Sequence, residues 1–315
     1  MKITVCIRTY KRPQFLKEAL ASISLQTHKD WEVIIFDDAG SEENFDIYSK
    51  FKQAHSNSIT YITKATPKSL YRNSWHMGVN LANGEVIVRL DDDDLLAENT
   101  LEFISRVYEE NSRLDFTYGE SIKFEGNTLM SFMNTKFPWE HTTKNAWAPY
   151  TNPEGWPWVD PWMWYVNFYK EEKPMTSITH ASRKNCFCVY HLLTMRVSSV
   201  DKVKHLFNVT SYLCDDLEVV ASLEYLGLHY SCIKKPLCFI RKHKEGNLTQ
   251  QDNWGNFRED IERVRNKVDR LRLPNFKSSN SFIVDKDNIK QELETYQPKF
   301  KELCNKISRH INVIW

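Results

Sequence analysis

Val86-Ile87-Val88-Arg89-Leu90 runs directly into Asp91-Asp92-Asp93-Asp94. The first five residues are rich in β-branched side chains and follow the turn signal Asn83-Gly84, so they predict a short buried strand. The aspartates then sit where that strand leaves its sheet. Four adjacent carboxylates repel one another, and burial would raise their pKa values. A positive charge must offset that repulsion. A divalent cation meets the need, and Mg²⁺ or Mn²⁺ suits carboxylate ligands. Such an ion usually holds one or two carboxylates and completes its shell with phosphate and water. The plainer reading is a solvated acidic turn that caps a helix starting near Ala97.

Upstream, strand and helix patterns alternate. Strands are predicted over Ile3 to Arg8, Trp31 to Phe36 and Ser58 to Ile62. Helices are predicted from Pro13 through Leu25, around Glu43 to Ala54, and over Ser69 to Ala82, with Pro13 suited to a first helical turn. Repeated β-α units imply an α/β fold with a mostly parallel, helix-flanked sheet and right-handed crossovers. Ligands of such sheets bind beyond the carboxyl ends of the strands. Arg8-Thr9-Tyr10, Asp37-Asp38 and Asp91 to Asp94 fall at three such ends, which is the pattern of a pocket. Downstream, Val200 to Phe207 and Asp216 to Leu226 read as helices and His229 to Ile240 as a strand. The tail reads as two charged helices, near Phe257 to Leu271 and Asp287 to Ile311.

Composition narrows the class. The chain has 315 residues, 41% hydrophobic and 13% aromatic, enough for a real core. No run of about 18 apolar residues occurs, so no transmembrane helix is expected. Met1 to Ile7 leads into a strand without a secretory layout, and the seven cysteines are scattered. Both give the expectation of reduced thiols in a cytoplasmic protein, free or peripheral to a membrane. Residues 234–315 carry 18 Lys and Arg against 11 Asp and Glu, a net +7, whereas the preceding residues carry 24 against 30, a net −6. A basic tail can face nucleic acid or an anionic membrane, or simply be soluble. Six of the ten tryptophans fall within residues 136–170: Trp139, Trp147, Trp156, Trp158, Trp162 and Trp164. Five prolines there break any long helix. The segment reads as an acceptor-facing wall or lid, or as a locally packed aromatic loop.

Taken in order, these motifs resemble the inverting family 2 glycosyltransferases of GT-A fold, including the spore-coat type. Ile3 to Pro13 resembles their opening strand and turn. Leu25-Gln26-Thr27 through Asp37-Asp38 is similar to their second conserved stretch. Arg72-Asn73 with Gly78, Ala82 and Gly84-Glu85 resembles their next helix, and Leu90 to Asp94 their acidic metal motif. Asp215-Asp216 before an apolar helix resembles the pair that holds their catalytic base, and Arg241-Lys242-His243 their closing R-x-H. The resemblance covers about residues 1–245. The chain is thus expected to form a GT-A domain over 1–251, holding the Trp-rich insert at 136–170, and a helical basic extension over 252–315; the insert and the extension have no counterpart in the family.

The resemblance also implies a chemistry. A nucleotide-sugar donor, a UDP-sugar foremost, loses its diphosphate while a divalent cation, Mn²⁺ or Mg²⁺, neutralises the leaving charge. Asp93 and His243 are then the metal ligands. Asp91 and Asp92 hold ribose or metal, Tyr10 stacks on the base, and Asp38 accepts its ring N–H. Thr9, Arg12 and Arg72 complete the nucleotide and diphosphate contacts. Inversion needs a carboxylate to take the acceptor's proton, implying Asp216, or failing it Asp215. Trp156, Trp158, Trp162, Trp164 and Arg241 are candidates for the acceptor side.

The acceptor that the resemblance implies is a glycan or a lipid-linked glycan. Alternatively it is a modified base in nucleic acid, with the tryptophans stacking on bases and the tail tracking phosphates. The C-terminal helices are a candidate surface for self-association. Two other classes share parts of the pattern. One is a non-catalytic nucleotide-sugar or glycan-binding module. The other is a nucleotidyltransferase, which normally opens with a Gly-rich loop that Arg8-Thr9-Tyr10-Lys11 lacks.

Overall fold

β1 (Ile3–Thr9) and β2 (Trp31–Asp37) are buried along their whole length, as expected of central strands covered on both faces. They belong to a computed structural model that describes residues 1–63, 78–112, 114–132, 149–151, 157–159, 192–203, 230–243 and 286–315. The predicted helices over Asp216 to Leu226 and Phe257 to Leu271, and most of the Trp-rich segment, lie outside these residues. β2 pairs in parallel with β3 (Ile59–Thr63), and β1 pairs in parallel with β4 (Val86–Asp91). Two helices follow the expected bounds closely, α1 (Pro13–Ser24) and α2 (Glu42–Ala54). Pro13 opens α1, and the Ser41 side chain caps α2 by accepting from Asn44 N–H.

The rest of the sheet is less regular than a simple parallel repeat. Among the described residues the order is β3-β2-β1-β4-β10-β6-β11-β5, with β7 added to β6. β10 (Leu193–Arg196) inserts antiparallel between β4 and β6 (Phe116–Glu125). β11 (Tyr230–Arg241) runs parallel to β6 and antiparallel to the short β5 (Leu95–Leu96). The β6–β11 pairing slips register twice, around Pro236. β7 (Thr128–Phe132) returns along β6. The alternation also misses a hairpin in the Trp-rich segment, in which β8 (Pro149–Thr151) pairs with β9 (Pro157–Val159) and Trp158 lies opposite Tyr150.

One buried carboxylate locks the loop that feeds β4. Glu32 in β2 accepts from Thr4 Oγ1 at 2.6 Å, from Asn83 N–H at 2.6 Å and from Asn83 Nδ2 at 3.0 Å. Burial pushes this carboxyl up, but those donors and Lys2 outweigh it and hold it below the usual carboxylate range. Gly84 follows, and a Cβ there would lie 2.7 Å from the Thr4 backbone nitrogen. The turn therefore needs glycine because the β1 backbone passes so close.

The described helices also include α3 (Thr100–Glu110), α4 (Val197–Val203) and α5 (Lys286–Ile314). α5 reaches past the predicted Asp287 to Ile311 at both ends, and its apolar stripe has a place in the main fold. Phe300, Leu303 and Ile307 are buried with Leu95, Ile122, Phe124, Leu129 and Phe239. The Phe300 ring sits 4.9 Å from Phe124 and 4.6 Å from Phe239. Trp315 stacks on Phe51 at 5.9 Å and donates from Nε1 to the Ile47 carbonyl. The last helix of the tail, expected as a candidate surface for self-association, thus lays its apolar stripe on the chain's own sheet. Lys299, Lys301 and Arg309 stay exposed, with Glu294 and Glu302 among them.

Deleting a large buried ring leaves a cavity as well as a lost transfer term. Phe300→Ala should therefore cost about 3–5 kcal/mol in a denaturant titration. A loss below about 1 kcal/mol would mean that α5 contributes little to the core.

Candidate active site

The parallel register brings three strand ends to one edge. Arg8 lies opposite Asp91, and Thr9 lies opposite Asp37. The Asp38 N–H donates to the Thr9 carbonyl at 3.0 Å. Past β1 the chain turns sharply through Lys11, whose φ of 52° is left-handed in a non-glycine residue. That turn delivers Arg12 to the start of α1. Tyr10 is left 47% exposed at the edge, with Lys11 Nζ 5.4 Å from its ring centre.

The acidic run is a tight turn, closed by Asp94 N–H donating to the Asp91 carbonyl at 3.1 Å. Each carboxylate has its own environment. Asp91 faces Arg8 at 3.6 Å and Arg89 at 3.4 Å. Asp92 is buried, accepting from Thr9 Oγ1 at 2.8 Å and from Arg12 at 3.3 Å. Asp93 Oδ2 accepts from Arg12 at 2.7 Å and lies 2.7 Å from His243 Nε2. Asp94 accepts the Arg241 backbone N–H at 3.1 Å. The positive charge that the acidic run was expected to need comes in part from the fold itself, through Arg8, Arg12 and Arg89.

A metal still has a place. Asp93 and His243 converge from two separate elements on one point, an oxygen and a nitrogen donor. Among the described residues no group of three or more His, Cys, Asp or Glu side chains forms a metal cage. Two protein donors suit Mg²⁺ or Mn²⁺, which complete their shells with phosphate and water.

Of the Asp37-Asp38 pair, Asp37 is committed to the fold. Its carboxylate accepts from Ala39 N–H, Ser41 N–H, Asn44 Nδ2 and Tyr61 Oη, and so fixes the turn into α2. Asp38 is buried beside Thr9. Arg241, expected on the acceptor side, is clamped next to the acidic run. Its Nε donates to the Asp93 carbonyl at 3.0 Å, and its guanidinium pairs with Glu18. That guanidinium lies between the rings of Phe15, at 4.7 Å, and Phe124, at 4.6 Å. The Phe15 ring also touches His243, centre to centre at 5.3 Å.

Thr9, Tyr10, Arg12, Asp38, Asp91, Asp92, Asp93, Arg241 and His243 thus share one edge. Arg72, Asp215, Asp216, Trp156, Trp162 and Trp164 lie outside the described residues. Phe15 and Glu18 were missed as site neighbours. Phe15 falls among the apolar residues of α1, and Glu18 stands three residues further on, one helical turn away.

The chain belongs to glycosyl transferase family 2, whose model matches residues 4–175. Curated relatives include an uncharacterized glycosyltransferase of Nostoc, 30% identical over 109 residues, which are 35% of this chain and 33% of that one. Another is the GalNAc(5)-diNAcBac-PP-undecaprenol beta-1,3-glucosyltransferase of Campylobacter jejuni, 29% identical over 132 residues, 42% of each chain. The chain spans about a third of the Nostoc relative and less than half of the Campylobacter one. Among solved structures, residues 1–349 of S. aureus TarS match with a TM-score of 0.58 at 14% identity, over 99% of this chain and 81% of that one. The Pyrobaculum calidifontis mannosyltransferase PcManGT, solved with GDP-Man and Mn²⁺, matches with a TM-score of 0.57 at 14% identity, over 97% and 73%. These likenesses show the fold, the GT-A arrangement. No helix among the described residues is long and apolar enough to cross a membrane.

Burial pushes the Asp92 carboxyl up to about 7; Asp93 and Asp91 add to the rise, while Arg12 and Thr9 oppose it. Folding therefore favours the protonated form. Its contribution to stability is full below the ordinary value of 3.8 and lost as pH rises through about 7. Asp92→Asn removes the penalty of ionising that group. In chelator, its gain in Tm over the unaltered protein should be small near pH 4, grow toward pH 7 and level off above. A gain that is flat with pH would contradict this account.

Proposed function

We propose that this chain is an inverting glycosyltransferase that moves a sugar from a nucleoside-diphosphate sugar, a UDP-sugar in the first instance, to a hydroxyl acceptor. One observation carries the reading: Asp93 and His243 meet at 2.7 Å at the same strand edge as Arg12, buried Asp92 and exposed Tyr10. That edge offers a face for a base, a carboxylate for ribose hydroxyls and positive charge for a diphosphate. Membership of glycosyl transferase family 2 supports the reaction class. The structural neighbours solved with UDP-GlcNAc and with GDP-Man and Mn²⁺ support donor and metal, both on a shared fold.

In this reading Tyr10 stacks on the base and Asp38 accepts its ring N–H. Thr9 holds the Asp92 carboxylate, which with Asp91 receives the ribose. Arg12 reaches the diphosphate, and Arg72 adds to that contact. Asp93 and His243 hold Mn²⁺ or Mg²⁺. The ion, when bound, neutralises the charge that builds on the leaving diphosphate. The acceptor hydroxyl attacks the anomeric carbon in line, and Asp216, with Asp215 as substitute, takes its proton. Arg241 supports the acidic turn. The tryptophans of 156–164 serve a glycan or lipid-linked glycan, the acceptor class that the name of the Campylobacter relative supports.

Turnover of a UDP-sugar with Mn²⁺ tests the reading. It should vanish with chelator, and Asp93→Ala should lower it by about 10²-fold or more, as when an electrostatic clamp is removed. Full activity in chelator would overturn the metal assignment. Donor binding without any turnover would favour a binding module.

Asp216→Asn keeps the shape of the side chain and removes its basicity. It should abolish transfer and leave donor affinity near that of the unaltered protein. If donor affinity falls instead, Asp215 becomes the base.

A further inference from the structure

The start of α1 holds the acidic turn in place through a side chain with no role of its own in the proposed transfer. Glu18 is fixed at both oxygens. Gln14 Nε2 donates to Oε1 at 3.1 Å, and the Arg241 guanidinium pairs with Oε2. Arg241 lies between Phe15 and Phe124, which restricts where its planar head can go. From that position its Nε holds the Asp93 carbonyl, and its own backbone N–H holds the Asp94 carboxylate. Two residues further on, His243 rests against Phe15, the neighbour of Gln14 in α1. The side chains of Asp93 and His243 are therefore set from one helix. The turn that carries the first is gripped by Arg241, and the strand end that carries the second is anchored by the same arginine.

We propose that Glu18 is a positioning residue for the transfer, acting through Arg241 to fix the Asp93–His243 pair. The proposal rests on the donor and metal reading above. A charged hydrogen bond to a fixed arginine is strong and directional. Partners that orient metal ligands typically account for 10–100-fold in metal affinity, and displacement of a reacting group by an ångström is costly. Glu18 and Arg241 also line an open cavity of about 400 Å³ with Gln14, Phe124, Cys304 and Asn312. That wall supplies a control: Asn312→Ala alters the same cavity at α5 and leaves the pair intact.

The experiment compares the unaltered full chain with Glu18→Gln, Glu18→Asp and Asn312→Ala. Amide hydrogen exchange reads the acidic turn. Loss of the free Mn²⁺ signal in electron paramagnetic resonance, with UDP present, reads metal binding. Glu18→Gln should speed exchange of the Asp94 and Arg241 amides by about tenfold, with β1 and β2 unchanged. It should also raise the Mn²⁺ concentration for half-saturation by roughly tenfold or more. Glu18→Asp should restore part of both, and Asn312→Ala should change neither. If both measurements match the unaltered protein, Glu18 has no such role. If exchange quickens while Mn²⁺ binding stays within twofold, Glu18 is only a structural brace and the proposal fails. Should the unaltered protein bind neither Mn²⁺ nor UDP-sugar, the donor reading itself fails, and this role for Glu18 fails with it.

Discussion

Like charges cannot crowd one strand end unless opposite charge arrives from elsewhere in the fold. Asp91 through Asp94 are held together because Arg8, Arg12 and Arg89 bring cations to them and Arg241 brings donors. The strength of that compensation depends on burial. A unit pair about 4 Å apart is worth about 1 kcal/mol in water and about 4 kcal/mol at the effective dielectric of a partly buried site. Asp91, a third exposed, needs little help, whereas buried Asp92 depends on Arg12 and Thr9. Two of these cations flank the turn after β1. The left-handed Lys11 is thus the geometric condition on which the acidic turn rests.

The same arrangement gives the site two kinds of cation contact. Arg12 and His243 meet on one oxygen of Asp93, where a divalent ion would also sit in the proposed reaction. Arg12 and His243 hold the carboxylate from two sides. A preset electrostatic environment of this kind is what transition-state stabilisation by fixed charges requires.

Much of this strand edge was legible in the sequence, for local reasons. β-branched residues ahead of Asp91 marked a strand end, and Pro13 marked a helix start. The period of two or 3.6 residues carried both signals. What escaped depended on contacts between distant segments. The arginines that neutralise the run come from β1, β4 and the turn between β1 and α1, and no spacing rule pairs them with particular aspartates. Arg241 was assigned to the acceptor because its neighbours in sequence do not reveal Phe15 and Phe124 on either side. β10 has only four residues, too few for alternation to announce an inverted strand. The tail read as charged helices, and neither the apolar stripe on α5 nor its partner on the sheet was picked out. The assignments for Arg72, Asp215, Asp216 and the tryptophans stand as proposals from the resemblance.

The register slips in β11 have a consequence of parity. Between Ile233 and Cys238 that strand uses three more residues than β6 does between Gly119 and Ser121. Side chains alternate along a strand, so an odd surplus reverses which face the later residues present. Arg241 lies opposite Phe124, so both side chains stand on the face that α1 covers. The segment around Pro236 therefore sets the phase in which the later residues of β11 meet that face.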